Sequence, residues 1–408
     1  MAKNFLKDFP SRTELLEWYN TNGSNLIHEV NGHFHTPWSF SAFREMNQVF
    51  DMARGENVKI LGINDFYTTA GYEEFHELSL EYKTFPLFNI EFMGLLKEEQ
   101  KNNIRVNDPS NPGRTYFSGK GLDYPVKLEG SSLKKLENVR NESQQQTKKM
   151  FDLASRHLES IDANLKLDYE FAINNFTRGM LSERHIAKII RHKVFEVFGK
   201  ESDRFDILTK IYGGTKPEVS LSNNTALEGE IRSNLLKAGG VAYVKEDPKA
   251  FLEIDEVIKI ITDAGGIPTY PVLLDDKDGN YTEYERDMDI LFSKLSSMNV
   301  YSLELIPGRN DFDRLKEFAT FFHDRGFIIT FGTEHNTPEL LPVKITTRGN
   351  KPLDEELKRI NFEGACVIAA HQYLRARNEE GYIDKNGKPR LLIKDELIEL
   401  GNAIIEYF

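Results

Sequence analysis

Residues 31–39 read Asn-Gly-His-Phe-His-Thr-Pro-Trp-Ser, placing His33 and His35 one residue apart after the apolar-alternating positions Leu26, Ile27 and Val30. Such a run reads as a strand, and side chains at i and i+2 of a strand share a side, so both imidazoles can face one point. Neutral imidazole is the commonest metal ligand, and two at a strand end suit half of a coordination sphere. The bland alternative for this pair is two strand histidines hydrogen-bonded at a surface. The other histidines read less well as ligands. His28 alternates with apolar neighbours, His157 and His192 sit in helical stretches, and His76, His323 and His371 are expected on helix surfaces.

The elements that must position these groups lie in a chain of 408 residues, long enough for a large core and several structural units. Hydrophobic residues at 39% and charged residues at 28% fit a globular protein, and no apolar run is long enough to span a membrane. The first ten residues lack the apolar stretch and small-residue cleavage site of a secretory signal. Cys366 is the single cysteine, which excludes an intramolecular disulfide and a Cys-rich zinc site; a cytoplasmic location is expected. Net charge is −12, with the basic residues mixed among acids, so no basic stripe for nucleic acid is apparent.

In chain order, residues 1–25 read as a helix packing through Leu15, Leu16 and Trp18, followed by the strand with the paired histidines. Residues 39–54 have helical spacing (Phe43, Met46, Val49, Phe50), and 58–63 read as a strand ending in Gly62-Ile63-Asn64-Asp65-Phe66. A helix over 71–83 and a short strand over 87–92 with Glu91 complete an alternation that argues a parallel sheet or (β/α) barrel. Sites in such folds gather at the C-terminal strand ends. Residues 131–245 lose this pattern and read as a helical insertion. Alternation resumes with helices over 254–264, 283–296 and 311–325 and strands after Gly265-Gly266, over 300–305 (bearing Glu304) and over 327–331. Two further helices are expected in 345–408.

The order of these motifs resembles the PHP superfamily, named for polymerase and histidinol phosphatase. Its H-x-H-T opening is similar to His33-Phe34-His35-Thr36, and its G-I-T-D-H to Gly62-Ile63-Asn64-Asp65-Phe66, with Glu91 at the bridging glutamate. Residues 265–271, Gly-Gly-Ile-Pro-Thr-Tyr-Pro, and 332–335, Gly-Thr-Glu-His, resemble two later motifs. The resemblance implies a distorted (β/α)7 barrel whose strand ends hold up to three metal ions. The expected organisation is a first barrel part (1–130), a helical insertion (131–245), a second barrel part (246–344) and a C-terminal helical extension (345–408).

Departures from the family pattern thin the metal ligands. Ser41 stands near the position of an acid or histidine, Phe66 follows Asp65 where a histidine is usual, and Tyr116 and Tyr270 stand in for two more histidines. What the resemblance leaves is one site built from His33, His35, Glu91 and Glu334, with His335 as a further candidate metal ligand. Two imidazoles and one or two carboxylates suit a single divalent ion (Zn²⁺, Mn²⁺ or Fe²⁺), with a higher number left open. Asp65 is a candidate base or a partner orienting a histidine. Tyr116 and Tyr270 either stabilise developing negative charge or fill the space of lost metals. Arg114, Lys120 and Arg309, expected in loops after strands, could bind a substrate anion or be solvated loop charges. Arg184 and His185 could contact substrate if the insertion forms a lid.

The function this implies is a metal-dependent hydrolase, with a small phosphoester as substrate and a metal-activated water as nucleophile. The rival is a barrel without catalysis that binds a ligand or partner. A nuclease would need the basic groove that the sequence does not show. The expected partner is a small anionic substrate, with no membrane; a homo-oligomer stays open.

Overall fold

The computed structural model describes residues 4–24, 26–276 and 278–408. After a short 3-10 turn, Phe5–Asp8, come α1 (Arg12–Asn22), β1 (Glu29–Phe34), α2 (Met46–Gly55), β2 (Val58–Phe66), α3 (Tyr72–Tyr82) and β3 (Phe85–Leu95). A five-residue α4 (Lys97–Lys101) leads to β4 (Arg114–Lys120) and then to α5 (Gly130–Ile161), α6 (Tyr169–Phe176), α7 (Glu183–Val197), α8 (Glu201–Ile211) and α9 (Asn224–Leu235). The chain closes with β5 (Leu252–Glu253), α10 (Ile254–Asp263), β6 (Ile267–Val272), α11 (Met288–Ser297), β7 (Ser302–Leu305), α12 (Phe312–His323), β8 (Ile328–Phe331), α13 (Glu355–Ala376) and α14 (Lys394–Tyr407). No helix among the described residues is long and apolar enough to cross a membrane. The expected helix over 39–54 starts only at Met46; Phe40 and Phe43 are buried in the irregular segment before it.

The sheet runs β1-β2-β3-β4-β6-β7-β8, and a parallel bridge between Phe34 and Glu334 brings its two ends together. It is a nearly closed, barrel-like sheet. The expected all-parallel alternation fails at one strand, because β4 is antiparallel to both β3 and β6. The reason lies in the connection before it. A parallel neighbour needs a crossover that returns along the sheet face, usually a helix of full length. Here α4 covers only Lys97–Lys101, and Gly113 N donates to Ile104 O and Leu96 N to Gly113 O, so the connection folds back on itself at one end.

Asn361 on α13 bonds the barrel seam. Its side chain accepts from Phe331 N (2.8 Å) and donates to Val30 O (3.1 Å), tying β8 to β1 where the two strands do not pair. Farther along α13, Gln372 bonds Phe88 N and Pro86 O on β3. His371 donates to Gly265 O at 2.6 Å and accepts from Tyr382 N at 2.9 Å. The surface role expected for His371 is therefore overturned. α13 is buried on nearly every side, so its polar residues are core residues that satisfy strand and turn backbone.

α5 carries the chain from barrel to insertion. Its first turns meet α10 through Ser132–Asp263 (2.5 Å) and Lys135–Glu256 (2.9 Å). Thirty-two residues long, it spans about 48 Å at the usual helical rise. Its later residues Met150, Phe151, Ala154 and Leu158 join a second hydrophobic cluster with α7, α8 and α9, separate from the barrel core.

Burial lowers the His371 imidazole to about 4. A histidine that charges more easily unfolded than folded costs stability as pH falls between about 6.5 and 4, at up to roughly 1.4 kcal/mol per pH unit. Urea midpoints of the parent should therefore drop more steeply over that window than those of His371→Gln; equal slopes would contradict this burial argument.

Candidate metal centre

His33 belongs to β1, and His35 follows directly after it. Their imidazoles share the barrel interior, as their spacing requires. His33 Nε2 lies 3.2 Å from His35 Nε2, His35 Nε2 lies 3.1 Å from Glu91 Oε2, and His33 Nε2 lies 3.9 Å from the same oxygen. All three residues are buried. A tetrahedral ion with bonds of about 2.0–2.1 Å holds its ligand atoms roughly 3.3 Å apart, so the triangle has the size of one face of such a site. Glu91 Oε2 supports the fit in a second way, since it is buried without a hydrogen-bond partner. Buried polar atoms are nearly always satisfied, and an ion would satisfy this one. His33, His35 and Glu91 thus form a cluster that can hold a metal ion.

The outer nitrogens of both rings are engaged. His33 Nδ1 is 2.7 Å from Glu304 Oε1, and His35 Nδ1 is 3.3 Å from Ser39 Oγ. If these nitrogens carry the protons, both Nε2 lone pairs face the triangle. Phe66 stacks on His35 with ring centroids 5.0 Å apart. Burial lowers His35 and pushes the Glu91 carboxyl up to about 8 despite the pull of His33. For Glu304, burial is outweighed by His33 and Lys120, which hold its carboxyl down to about 2.

Asp65 lies behind His35, its Oδ1 4.0 Å from His35 Nδ1, and not in the triangle itself. It neighbours Asn64 and Phe66 on β2, so strand alternation sends it to the opposite face. There it accepts from Thr36 N (2.8 Å), Thr36 Oγ1 (2.6 Å) and Ser39 Oγ (2.6 Å). A carboxylate with three donors is not free to act as a base; its contact with Ser39 Oγ, which also meets His35 Nδ1, is in keeping with the other expected role, a partner behind a site histidine.

Glu334 lies at the rim. Arg309 holds it by two bonds, one of 2.8 Å from Nη1 to Oε1 and one from Nη2 to Oε2, and Asn336 donates to Oε2 at 2.7 Å. Burial would raise Glu334, yet Arg309 and the two histidines hold it down. Glu334 and His335 both have left-handed backbone angles, φ 61° and 52°. Such angles cost non-glycine residues about 1–2 kcal/mol each and gather at functional sites. The approach also needs Gly332, where a Cβ would stand 2.3 Å from His33 Cβ. His335 is not brought to the triangle. Its Nδ1 meets Thr333 Oγ1 (2.7 Å) and its Nε2 meets Leu341 O (2.8 Å), leaving no nitrogen for an ion.

The remaining expected residues divide. Tyr116 is on β4, two residues before Ser118, and its ring lies 6.1 Å from Phe66. Burial raises its hydroxyl, with further raising by Asp108, Glu91 and Glu334. Tyr270 is engaged elsewhere: its hydroxyl donates to Glu285 (2.7 Å), while its strand neighbour Thr269 bonds Ser302. Arg114 pairs with Glu246 (2.5 Å) and stacks on Phe251 (4.5 Å), which ties β4 to the chain returning from the insertion. Lys120 is a fully buried strand residue and not a loop cation. Arg184 lies 5.8 Å over the Phe40 ring and is brought down to about 10 by burial and Arg232, against the pull of Glu334. His185 packs edge-on to Phe40 at 4.8 Å with Nδ1 on the Ser182 cap, so it supports the insertion at the mouth. Sequence reasoning gave no role to Asn64, Ser118 and Glu304. A glutamate between leucines in a short strand was the available signal for Glu304.

No protein-family model matches the chain, and no curated protein does. Solved structures are similar in fold. A provisionally assigned metal-dependent phosphoesterase from Bifidobacterium adolescentis is 16% identical, covering 81% of this chain and 94% of its own, with a TM-score of 0.50. An amidohydrolase from Chromobacterium violaceum, solved with sulfate and without metal, is also 16% identical, covering 81% and 96%, with a TM-score of 0.51.

Chelator-stripped protein reloaded with Zn²⁺ or Mn²⁺ should retain about one equivalent. His33→Ala/His35→Ala should retain none, and His335→Ala should match the parent. Elemental analysis after gel filtration decides it; loss of metal in His335→Ala would show that the ligand set is misassigned.

Proposed function

We propose that this chain is a divergent member of the PHP superfamily and a metal-dependent hydrolase of a small phosphoester, working at the C-terminal end of its barrel strands. The observation that carries this reading is the triangle of His33 Nε2, His35 Nε2 and Glu91 Oε2, with the Glu91 oxygen otherwise unsatisfied. A divalent ion bound there supplies a Lewis acid and a water acidified towards a pKa of about 7. The similarity in fold to a provisionally assigned metal-dependent phosphoesterase is in keeping with it.

The chain's own residues supply the rest. Glu304 and Ser39 hold the two rings by their outer nitrogens. Arg309 stands half-exposed beside the triangle, and Arg184 approaches from the insertion, so an anionic group at the mouth would meet cations from two sides. Tyr116 offers a hydroxyl near Glu91 that could donate to negative charge on a substrate oxygen. Phe66, stacked on His35, shields the ring nitrogens from water. The bidentate Arg309–Glu334 pair favours a second reading, a barrel that binds without turnover, because it ties up the fourth candidate ligand.

Metal-loaded protein is to be assayed against phosphomonoesters, phosphodiesters and simple amides. Turnover should be confined to a phosphoester and lost in Glu91→Gln with folding intact. Arg184→Ala should raise KM about tenfold at unchanged metal content, the loss expected for one charge-assisted hydrogen bond. A loaded parent that is silent on every substrate would leave the binding module.

A further inference from the structure

Lys120 is the least expected charge in the barrel. It ends β4, two residues after Ser118, so both side chains point inward. The lysine is fully buried, and its ammonium donates to Glu304 Oε2, to Gly32 O (3.2 Å) and to Asn64 Oδ1 (3.3 Å). Three oxygens therefore surround one fixed positive charge in the barrel interior. The other Glu304 oxygen is 2.7 Å from His33 Nδ1 and accepts from Ser118 Oγ at 3.2 Å. Asn64 completes the group, donating to Ser118 Oγ at 3.1 Å.

Both oxygens of Glu304 are thus engaged by groups of this chain. The carboxylate faces the far side of a ring whose near nitrogen belongs to the metal triangle. An unpaired buried lysine or glutamate would be costly, whereas the pair with its hydrogen bonds is tolerated. Mutual satisfaction alone does not require a histidine at the end of the chain of contacts. The contact with His33 Nδ1 gives the pair a direction, towards the site.

We propose that Lys120 is a positioning residue of the metal centre, its buried ammonium holding Glu304 in the place from which the carboxylate orients His33. The inference rests on the metal reading of the triangle. Groups that hold a ligand histidine from behind typically change metal affinity 10- to 100-fold when removed.

The test uses the full chain, stripped by chelator and titrated with Zn²⁺ in competition with a chromogenic chelator. Lys120→Met and Glu304→Gln should each weaken Zn²⁺ binding about 10- to 100-fold. The double variant should be no weaker than Glu304→Gln alone, because Lys120 acts through that carboxylate. Urea unfolding of the metal-free forms reads stability separately. A structural role only would lower the unfolding midpoint and leave affinity at the parent value, and that result overturns the proposal. Losses that multiply in the double variant overturn it as well. Should Lys120→Met fail to fold, Lys120→Gln, neutral yet able to hydrogen-bond, should show the same direction of loss, and parent affinity in it counts against the proposal. A parent that binds no Zn²⁺ would remove the metal reading itself; a parent that binds beside an equally tight Lys120→Met would remove this inference alone.

Discussion

Two imidazole nitrogens and a carboxylate oxygen meet within 3.1–3.9 Å in the interior of this barrel; Asn64 Nδ2 lies 3.2 Å from His33 Nε2, while the Glu91 oxygen has no hydrogen-bond partner. Atoms of that kind repel when each presents a lone pair, and a low-dielectric interior strengthens the repulsion. Burial drives His35 and Glu91 towards their neutral forms, which lessens the conflict without supplying a bond to the Glu91 oxygen. A cation resolves it directly. The neighbouring structure can be understood as what holds these atoms at that separation.

The hold comes from parts far apart in sequence. Glu304 of β7 reaches His33 from behind, and Glu304 is in turn fixed by β4 through Ser118 and Lys120. Gly332 lets the chain after β8 press against His33 where any side chain would collide. At Glu334 and His335 the backbone takes left-handed angles, and Glu334 O accepts from His35 N at 2.7 Å, which locks the second histidine to the far edge of the sheet. Asn361 closes the same seam lower down. The seam between first and last strands is therefore bonded at the site and along α13, in place of a continuous ladder. Strain at Glu334 and His335 is sustained because the closure over-determines it.

Much of this could be read from residue spacing. The i, i+2 histidines needed only strand periodicity to be placed on one side, and Glu91 needed only its strand. Errors arose where one residue of parity or one strand direction decides the outcome. Asp65 neighbours two inward residues and so reaches His35 only from behind, through Ser39, and Tyr270 likewise lies beside the inward Thr269. Lys120 looked like a loop cation because nothing local announces an antiparallel strand. Only the pairing of β4 with β3 and β6 sends its side chain inward. His371 has a helical sequence context that suits solvent equally well, and its burial follows from α13 packing against the barrel, a tertiary fact. Glu304 was unread for the same reason, since its partner Lys120 lies far away in sequence.

The interior and the mouth consequently answer to different constraints. Inside, the polar atoms behind His33 are bound to one another, and replacing one residue unsatisfies several, so the chemistry of the centre is set by the fold. At the mouth, the Arg184 and Phe40 contact joins a helix of the insertion to the segment after β1. The insertion has its own hydrophobic cluster and is tied to the barrel by the long α5. The buried residues of the two clusters do not overlap, so changes in one core leave the packing of the other in place. A fold can host many reactions, and its shape alone does not select one. In this chain His33, His35 and Glu91 form the cluster that can hold an ion, and Arg309 and Glu334 pair at its rim.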